Sequence, residues 1–75
     1  MERYKDLKGN SAVAAYEFTP GSITIEFKSG STYVYDEAST GAENLRRMRL
    51  MATQGWGLSR FVNTVVGDRY ARRLR

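Results

Sequence analysis

Arginine is the side chain in this sequence with the best chemistry for holding an anion. Its planar guanidinium presents a fork of N–H donors that matches phosphate and carboxylate oxygens. Residues 38–75 hold eight bases against two acids, a net charge of +6, and every one of those bases is arginine. Residues 1–37 hold four bases against six acids, a net charge of −2. The second half therefore predicts an anionic partner; a solvated basic face is the alternative that the same charges allow.

The sequence contains few side chains that are suited to catalysis. The sequence has no histidine and no cysteine, which removes the usual general base, the usual zinc ligands and any disulfide. Asp36 and Glu37 form an adjacent carboxylate pair, but at a strand end such a pair supports the start of a helix through its dipole. No serine has a histidine base, and no glycine-rich phosphate loop is present. We therefore expect no enzyme, no metal and no cofactor.

Three aromatic side chains have the chemistry to stack on a nucleobase. Tyr33 and Tyr35 either make an open platform for bases or pack beneath helices with their hydroxyls at the rim. Trp56 stands between Gly55 and Gly57 and is the exposed aromatic residue that we most expect to stack on a base. Covering one end of the core is the alternative for Trp56. The register of the hairpin that carries the two tyrosines determines which way their rings face, and so which of the two interpretations applies.

The elements that position these residues begin with three strands. Small, apolar and aromatic residues from Ser11 to Phe18 indicate a first strand, and Pro20 with Gly21 makes the turn after it. Residues 23–27 alternate between apolar and polar side chains, as a half-buried strand does. A third strand is predicted at residues 31–35.

Turn chemistry favours one register for the hairpin of the second and third strands. A two-residue loop would force a positive φ on Ser29 and would turn both tyrosines away from the isoleucines. A three-residue loop with Gly30 as a left-handed bulge avoids that strain. The bulged register pairs Ile23 with Tyr35 and Ile25 with Tyr33. We therefore predict that both tyrosine rings face the core.

Two helices are predicted after the strands. Thr40 and Glu43 have the spacing of a capping box, which predicts a helix to about Ala52. Apolar residues recur with helical spacing between Leu58 and Val66, and Gly67 is a natural C-terminal stop. The order β-β-β-α-α predicts an α+β fold, a three-stranded antiparallel meander with both helices packed on one face. The inner side of the first helix carries Leu45, Met48, Met51 and Ala52, and its outer side carries Arg46, Arg47 and Leu50.

Residues spread over positions 11–70 resemble the pattern of a known small module. The similar positions are Tyr16, Phe27, Gly30, Tyr33, Tyr35, Gly55, Phe61, Asn63 and Tyr70. This pattern resembles the KTSC domain, named for the C-terminus of some lysyl-tRNA synthetases and also found as free-standing bacterial and phage proteins. The resemblance implies that these residues are mainly structural, and the fusion to a synthetase suggests RNA binding by association.

The sequence departs from that family in three places. Glu37-Ala38-Ser39 replaces the usual valine-proline after the tyrosine pair. Thr53-Gln54-Gly55 stands where the family has serine-x-glycine, and two further residues add spacing before Phe61. Asn63 does not directly follow its phenylalanine. These departures fall on the helical connections rather than on the strands.

Length and composition complete the expected organisation. Seventy-five residues make one domain. We expect a loosely ordered segment over 1–10, a single KTSC-like domain over 11–70 and a basic tail over 71–75. The chain from Asp68 to Arg75 is expected to be a short helix or a frayed end. No signal pattern follows Met1 and no apolar run approaches the length of a membrane span. A cytoplasmic protein without a membrane partner is the resulting expectation.

The predicted function is a small module that binds RNA or another polyanion through an arginine-rich helical face. If the helices pack side by side, the binding residues are Arg46, Arg47, Arg49, Arg60, Arg69, Arg72, Arg73 and Trp56. The alternative is a protein-interaction or self-association module, a monomer or weak homodimer, or an appendage of a fused enzyme. Leu50, which lies among the arginines, suggests that alternative.

Overall fold

The computed structural model describes all 75 residues and has an α+β fold. The strands are β1 Glu2–Arg3, β2 Val13–Thr19, β3 Ser22–Phe27, β4 Thr32–Asp36 and β5 Arg72–Arg73. They form one antiparallel sheet in the order β1-β2-β3-β4-β5. The helices are α1 Glu37–Thr40, α2 Ala42–Gln54 and α3 Leu58–Phe61, and α3 continues as a π-helical turn over Val62–Val66. The α+β prediction is confirmed, with two strands more than expected.

The hairpin of β3 and β4 has the register that its turn chemistry predicts. The partners across it are Ile23 with Tyr35 and Ile25 with Tyr33. The N–H of Gly30 donates to the carbonyl of Phe27 at 2.9 Å and closes the turn, and Gly30 has a φ of 97°. Glycine adopts a positive φ at little cost, so Gly30 supplies the bulge that fixes the register.

The first ten residues are more ordered than the sequence suggests. β1 pairs with the free edge of β2 and places Arg3 opposite Ala15. Tyr4 follows and is only 2% exposed, and its N–H donates to the carbonyl of Ala14 at 3.0 Å. A two-residue strand is too short to show a periodic pattern, so β1 is recognised only by its pairing with β2 in the structure.

The C-terminal residues also join the sheet instead of forming a short helix or a frayed end. β5 pairs with β4 and places Arg73 opposite Tyr33. The N–H of Ala71 donates to the carbonyl of Val34 at 2.7 Å. Backbone groups along the edge of β4 thereby gain partners, which protects that edge.

Helix α1 carries the capping box that was predicted for α2. Asp36 Oδ1 accepts from the N–H of Ser39 at 2.9 Å, and Ser39 Oγ accepts from the N–H of Asp36 at 3.2 Å. The prediction of a box between Thr40 and Glu43 is wrong, because Thr40 Oγ1 donates to a carbonyl of the C-terminal segment at 2.9 Å. Asp36 is the N-cap of α1, a helix that the sequence did not predict, and support of a helix start by the Asp36-Glu37 pair through the dipole stays a prediction.

The second helical segment follows its predicted apolar pattern except at one position. Leu58, Phe61, Val62 and Val66 are buried, but Val65 is 45% exposed. A π-helical turn holds more residues than an α-helical turn, so it rotates Val65 out of the apolar stripe. Gly67 ends the segment as predicted, with its N–H bonded to the carbonyl of Val62.

The core lies between one face of the sheet and helices α2 and α3. Met48 and Leu58 belong to the same buried cluster as Ile23 and Ile25, and none of the four is exposed. Full burial of each such side chain contributes about 1.5 to 3 kcal/mol. No helix in the structure combines the length and the apolar composition that crossing a membrane requires.

Candidate functional site

A depression of about 540 Å³ opens between the start of α3 and the loop over residues 6–11. We call it the polar depression. The side chains that line it include Lys8, Asn10, Trp56, Arg60, Asn63 and Thr64. Trp56 is 46% exposed, and Lys8 Nζ lies 5.0 Å from the centroid of its ring. Two of the predicted binding residues, Trp56 and Arg60, therefore share one site with a lysine that the sequence did not single out.

Asp6 holds the loop that carries Lys8. Asp6 Oδ2 accepts from Lys28 Nζ at 2.8 Å, and Oδ1 accepts from the N–H of Ser11 at 3.1 Å. The hydrogen bond from Lys28 lowers the pKa of the Asp6 carboxyl below its ordinary value. Lys28 balances the charge of Asp6, whereas neither Lys8 nor Arg60 has an ion-pair partner. The polar depression is therefore positively charged.

Gly55 allows the N-terminal segment to approach the end of α2. It has a φ of 89°, and its carbonyl accepts from the N–H of Leu7 at 2.8 Å. A Cβ at this position would lie 2.7 Å from the Cβ of Lys5, so only glycine fits without displacing the segment. This contact brings Lys8 next to Trp56. Because it joins residues far apart in the sequence, no local pattern reveals it.

A second depression, of about 490 Å³, lies between the hairpin of β3 and β4 and the residues that follow α3. We call it the aromatic depression, because the rings of Phe27, Tyr33, Tyr35 and Tyr70 line it. The ring centroids of Tyr33 and Tyr70 are 4.5 Å apart, and those of Tyr35 and Tyr70 are 6.4 Å apart. Asn63 lines both depressions, so the two adjoin.

The two tyrosines of the hairpin differ in exposure. Tyr35 is 2% exposed and Tyr33 is half-buried, and both rings lie on the side that the helices cover. Burial, and then the neighbouring Tyr33 and Tyr70, raise the pKa of Tyr35 to about 12. The pair is thus no open stacking platform, although Tyr33 is reachable through the aromatic depression. Among the other motif residues, Tyr16 and Phe61 are buried.

The arginines of α2 already contact neighbouring groups. Glu43 Oε2 accepts from Arg46 Nη2 at 2.8 Å and from Arg47 Nε at 3.0 Å, and these bonds lower the pKa of the Glu43 carboxyl. Both arginine side chains stay more than half exposed. Arg49 donates to two carbonyls of the turn between β2 and β3, at 3.0 and 3.1 Å. Arg46 and Arg47 therefore keep N–H donors that are free to bind an anion. The guanidinium of Arg49 is instead fixed by its hydrogen bonds to the two carbonyls.

The remaining arginines lie on the C-terminal segment. Arg69 and Arg72 are exposed. The Cζ of Arg73 lies 5.6 Å from the ring centroid of Tyr33, and its Nε donates to the carbonyl of Arg75 at 2.9 Å. The predicted binding residues thus lie on α2, around the start of α3 and on the C-terminal segment. Only Trp56 and Arg60 line the polar depression together.

The fold and the site define a small basic α+β domain with an open, positive depression beside an exposed tryptophan. No family model matches the chain, and neither a curated protein nor a solved structure matches it. The resemblance to the KTSC domain therefore stays a prediction. The geometry of the two depressions is therefore the basis for any function proposed for the protein.

Proposed function

We propose that the protein is a non-catalytic module that binds single-stranded nucleic acid, RNA in particular, through the polar depression. The observation that carries this proposal is the placement of Lys8 and Arg60, two cations without ion-pair partners, around the exposed Trp56. In this role Trp56 stacks on one base, and Lys8 and Arg60 bind neighbouring phosphates.

An unpaired RNA strand suits the polar depression better than a duplex. A duplex hides the faces of its bases, so a stacking side chain needs an unpaired base. Stacking on an aromatic residue contributes about 1 to 3 kcal/mol per base with little regard to sequence. The amides of Asn10 and Asn63 and the hydroxyl of Thr64 line the same depression. These groups can hydrogen-bond a ribose 2′-hydroxyl, which favours RNA over DNA.

Arginines outside the polar depression add phosphate contacts in this proposal. Arg46 and Arg47 are exposed on α2, and Arg69 and Arg72 are exposed on the C-terminal segment. Phosphate contacts raise the affinity for every sequence alike and make it fall with rising salt. Binding through them is therefore broad in sequence and sensitive to ionic strength.

Titration of a labelled single-stranded RNA with three variants tests the proposal. Trp56→Ala removes the stacking ring, and Arg60→Ala removes one positive charge from the depression. Arg3→Ala removes the same charge from the exposed strand β1 and is the matched control. We expect the first two variants to bind several-fold more weakly than the control. Equal losses in Arg60→Ala and Arg3→Ala, with none in Trp56→Ala, would assign the binding to net charge alone and reject this site.

Leu50 supports a second candidate function, self-association. Its side chain is 59% exposed on α2, beside Arg46 and Arg47 along the helix. An exposed apolar residue on a helix can anchor the same face of a second copy. Size measurement of the unmodified protein and of Leu50→Asp tests this candidate. A monomer in both cases would exclude it.

A further inference from the structure

The aromatic depression has no part in the proposed function, yet it has the composition of a ligand site. The rings of Phe27 and Tyr33 meet edge to face at 5.9 Å, and Tyr70 beside them is 37% exposed. Asn63 and Asp68 also line the depression, and Asp68 has no ion-pair partner. Apolar walls with a few polar groups are typical of sites for small planar ligands.

The hydroxyl of Tyr35 gives a second, independent indication. Tyr35 is 2% exposed, and its hydroxyl makes no hydrogen bond within the protein. No fully buried side-chain oxygen or nitrogen in the chain lacks a partner, so this hydroxyl must reach solvent. Tyr35 lines the aromatic depression, which offers its hydroxyl a route to solvent. With a pKa of about 12 it keeps its proton at neutral pH and can donate to a ligand.

We propose that the aromatic depression is a nucleobase subsite that prefers guanine. This inference rests on the proposed function, because Asn63 joins the aromatic depression to the polar one. A single strand with one base on Trp56 can run past Asn63 and place a base further along the strand against the ring of Tyr70. The edge of that base then meets Asp68 and the Tyr35 hydroxyl.

The hydrogen-bonding groups of the depression select guanine over the other bases. Guanine carries a ring N–H and an amino group side by side, and one carboxylate accepts from both. Its adjacent carbonyl can accept from the Tyr35 hydroxyl. Uracil instead flanks its single N–H with two carbonyls, which repel the carboxylate of Asp68. Adenine and cytosine each place an acceptor nitrogen beside the amino group, so they offer Asp68 one hydrogen bond rather than two.

Three oligomers of equal length test the subsite: oligouridine, oligouridine with one central guanosine, and the same oligomer with inosine at that position. Inosine lacks only the amino group of guanosine. We expect the guanosine oligomer to bind about tenfold more tightly than oligouridine, and most of that gain to vanish with inosine. Asp68→Asn should abolish the guanosine preference. Glu37→Gln, which removes the same charge from exposed α1, should retain it.

Each failure of this experiment has a distinct meaning. Equal binding of all three oligomers, with Trp56→Ala still weakening each of them, would overturn the guanine subsite and leave the proposed function standing. A guanosine preference that survives both inosine and Asp68→Asn would also overturn it. Absence of binding to every oligomer at low salt would reject both proposals.

Discussion

The phenolic oxygen of Tyr4 accepts a hydrogen bond at 3.3 Å from the backbone N–H of Leu58, which lies 54 residues further along the chain. Leu58 is the first residue of α3, and the first N–H groups of a helix have no partner inside it. Tyr4 therefore satisfies a buried donor and fixes the N-terminal segment to the start of α3. Since Tyr4 also lines the polar depression, this bond helps to shape the candidate site.

Replacing Tyr4 with phenylalanine should destabilise the protein by about 1 to 3 kcal/mol, because the buried N–H of Leu58 loses its acceptor. Tyr16→Phe is the matched control, since the Tyr16 ring is buried but its hydroxyl makes no hydrogen bond within the protein. Urea unfolding measures both changes in the free energy of unfolding. Equal effects of the two variants would show that the bond to Leu58 contributes nothing.

Gly55→Ala should destabilise the protein more than Gly21→Ala does. Both glycines have similar positive φ values, 89° and 78°, so each alanine carries a strain of about 1 to 2 kcal/mol. Only at Gly55 does the new Cβ overlap another residue, at 2.7 Å from the Cβ of Lys5, whereas nothing lies within 4 Å at Gly21. Thermal unfolding of the two variants measures the difference. Identical losses would contradict the close approach of the N-terminal segment.

Stability should fall as the pH rises from 10 towards 12. The pKa of Tyr35 is raised from 10.0 to about 12, mainly by burial, and burial also raises the pKa values of Tyr4 and Tyr16. Within this window the folded protein keeps a proton that the unfolded chain has lost, so rising pH favours unfolding. Urea unfolding across the window measures the slope, and Tyr35→Phe should reduce it. An unchanged slope in that variant would assign the effect to other groups.

Two substitutions separate the observed helix cap from the expected one. Asp36→Ala should lower the melting temperature, because the N–H of Ser39 loses its acceptor at the start of α1. Glu43→Ala should change it little, since Glu43 takes part only in exposed ion pairs. The hydrogen bond from Ser39 also lowers the pKa of Asp36, so the stabilisation by this cap should weaken as acid protonates the carboxylate. A larger loss of melting temperature in Glu43→Ala than in Asp36→Ala would instead support a capping box between Thr40 and Glu43.

A structural feature is predictable from the sequence when the residues that cause it lie close together in the chain. The register of β3 and β4 follows from Gly30 and from alternation within neighbouring residues, so it was predictable. The strands β1 and β5 have two residues each, which is too short for a periodic pattern. They form only because an edge of the sheet is available, so the sequence does not predict them.

The residues of the candidate site also differ in whether the sequence could predict them. Trp56 and Arg60 could be selected from residue type and from the glycines around the tryptophan. Lys8 could not, because its position depends on the contact of Leu7 with Gly55 and on the ion pair of Asp6 with Lys28. Both contacts join distant parts of the chain.

The fluorescence of Trp56 during titration with single-stranded RNA tests the central claim most directly. Trp56 is the only tryptophan in the sequence, so its emission reports on the polar depression alone. We expect saturable quenching at low salt as a base stacks on the ring, with an affinity that falls steeply as salt rises. RNA that binds without changing this fluorescence, or with an affinity that salt does not alter, would contradict the account.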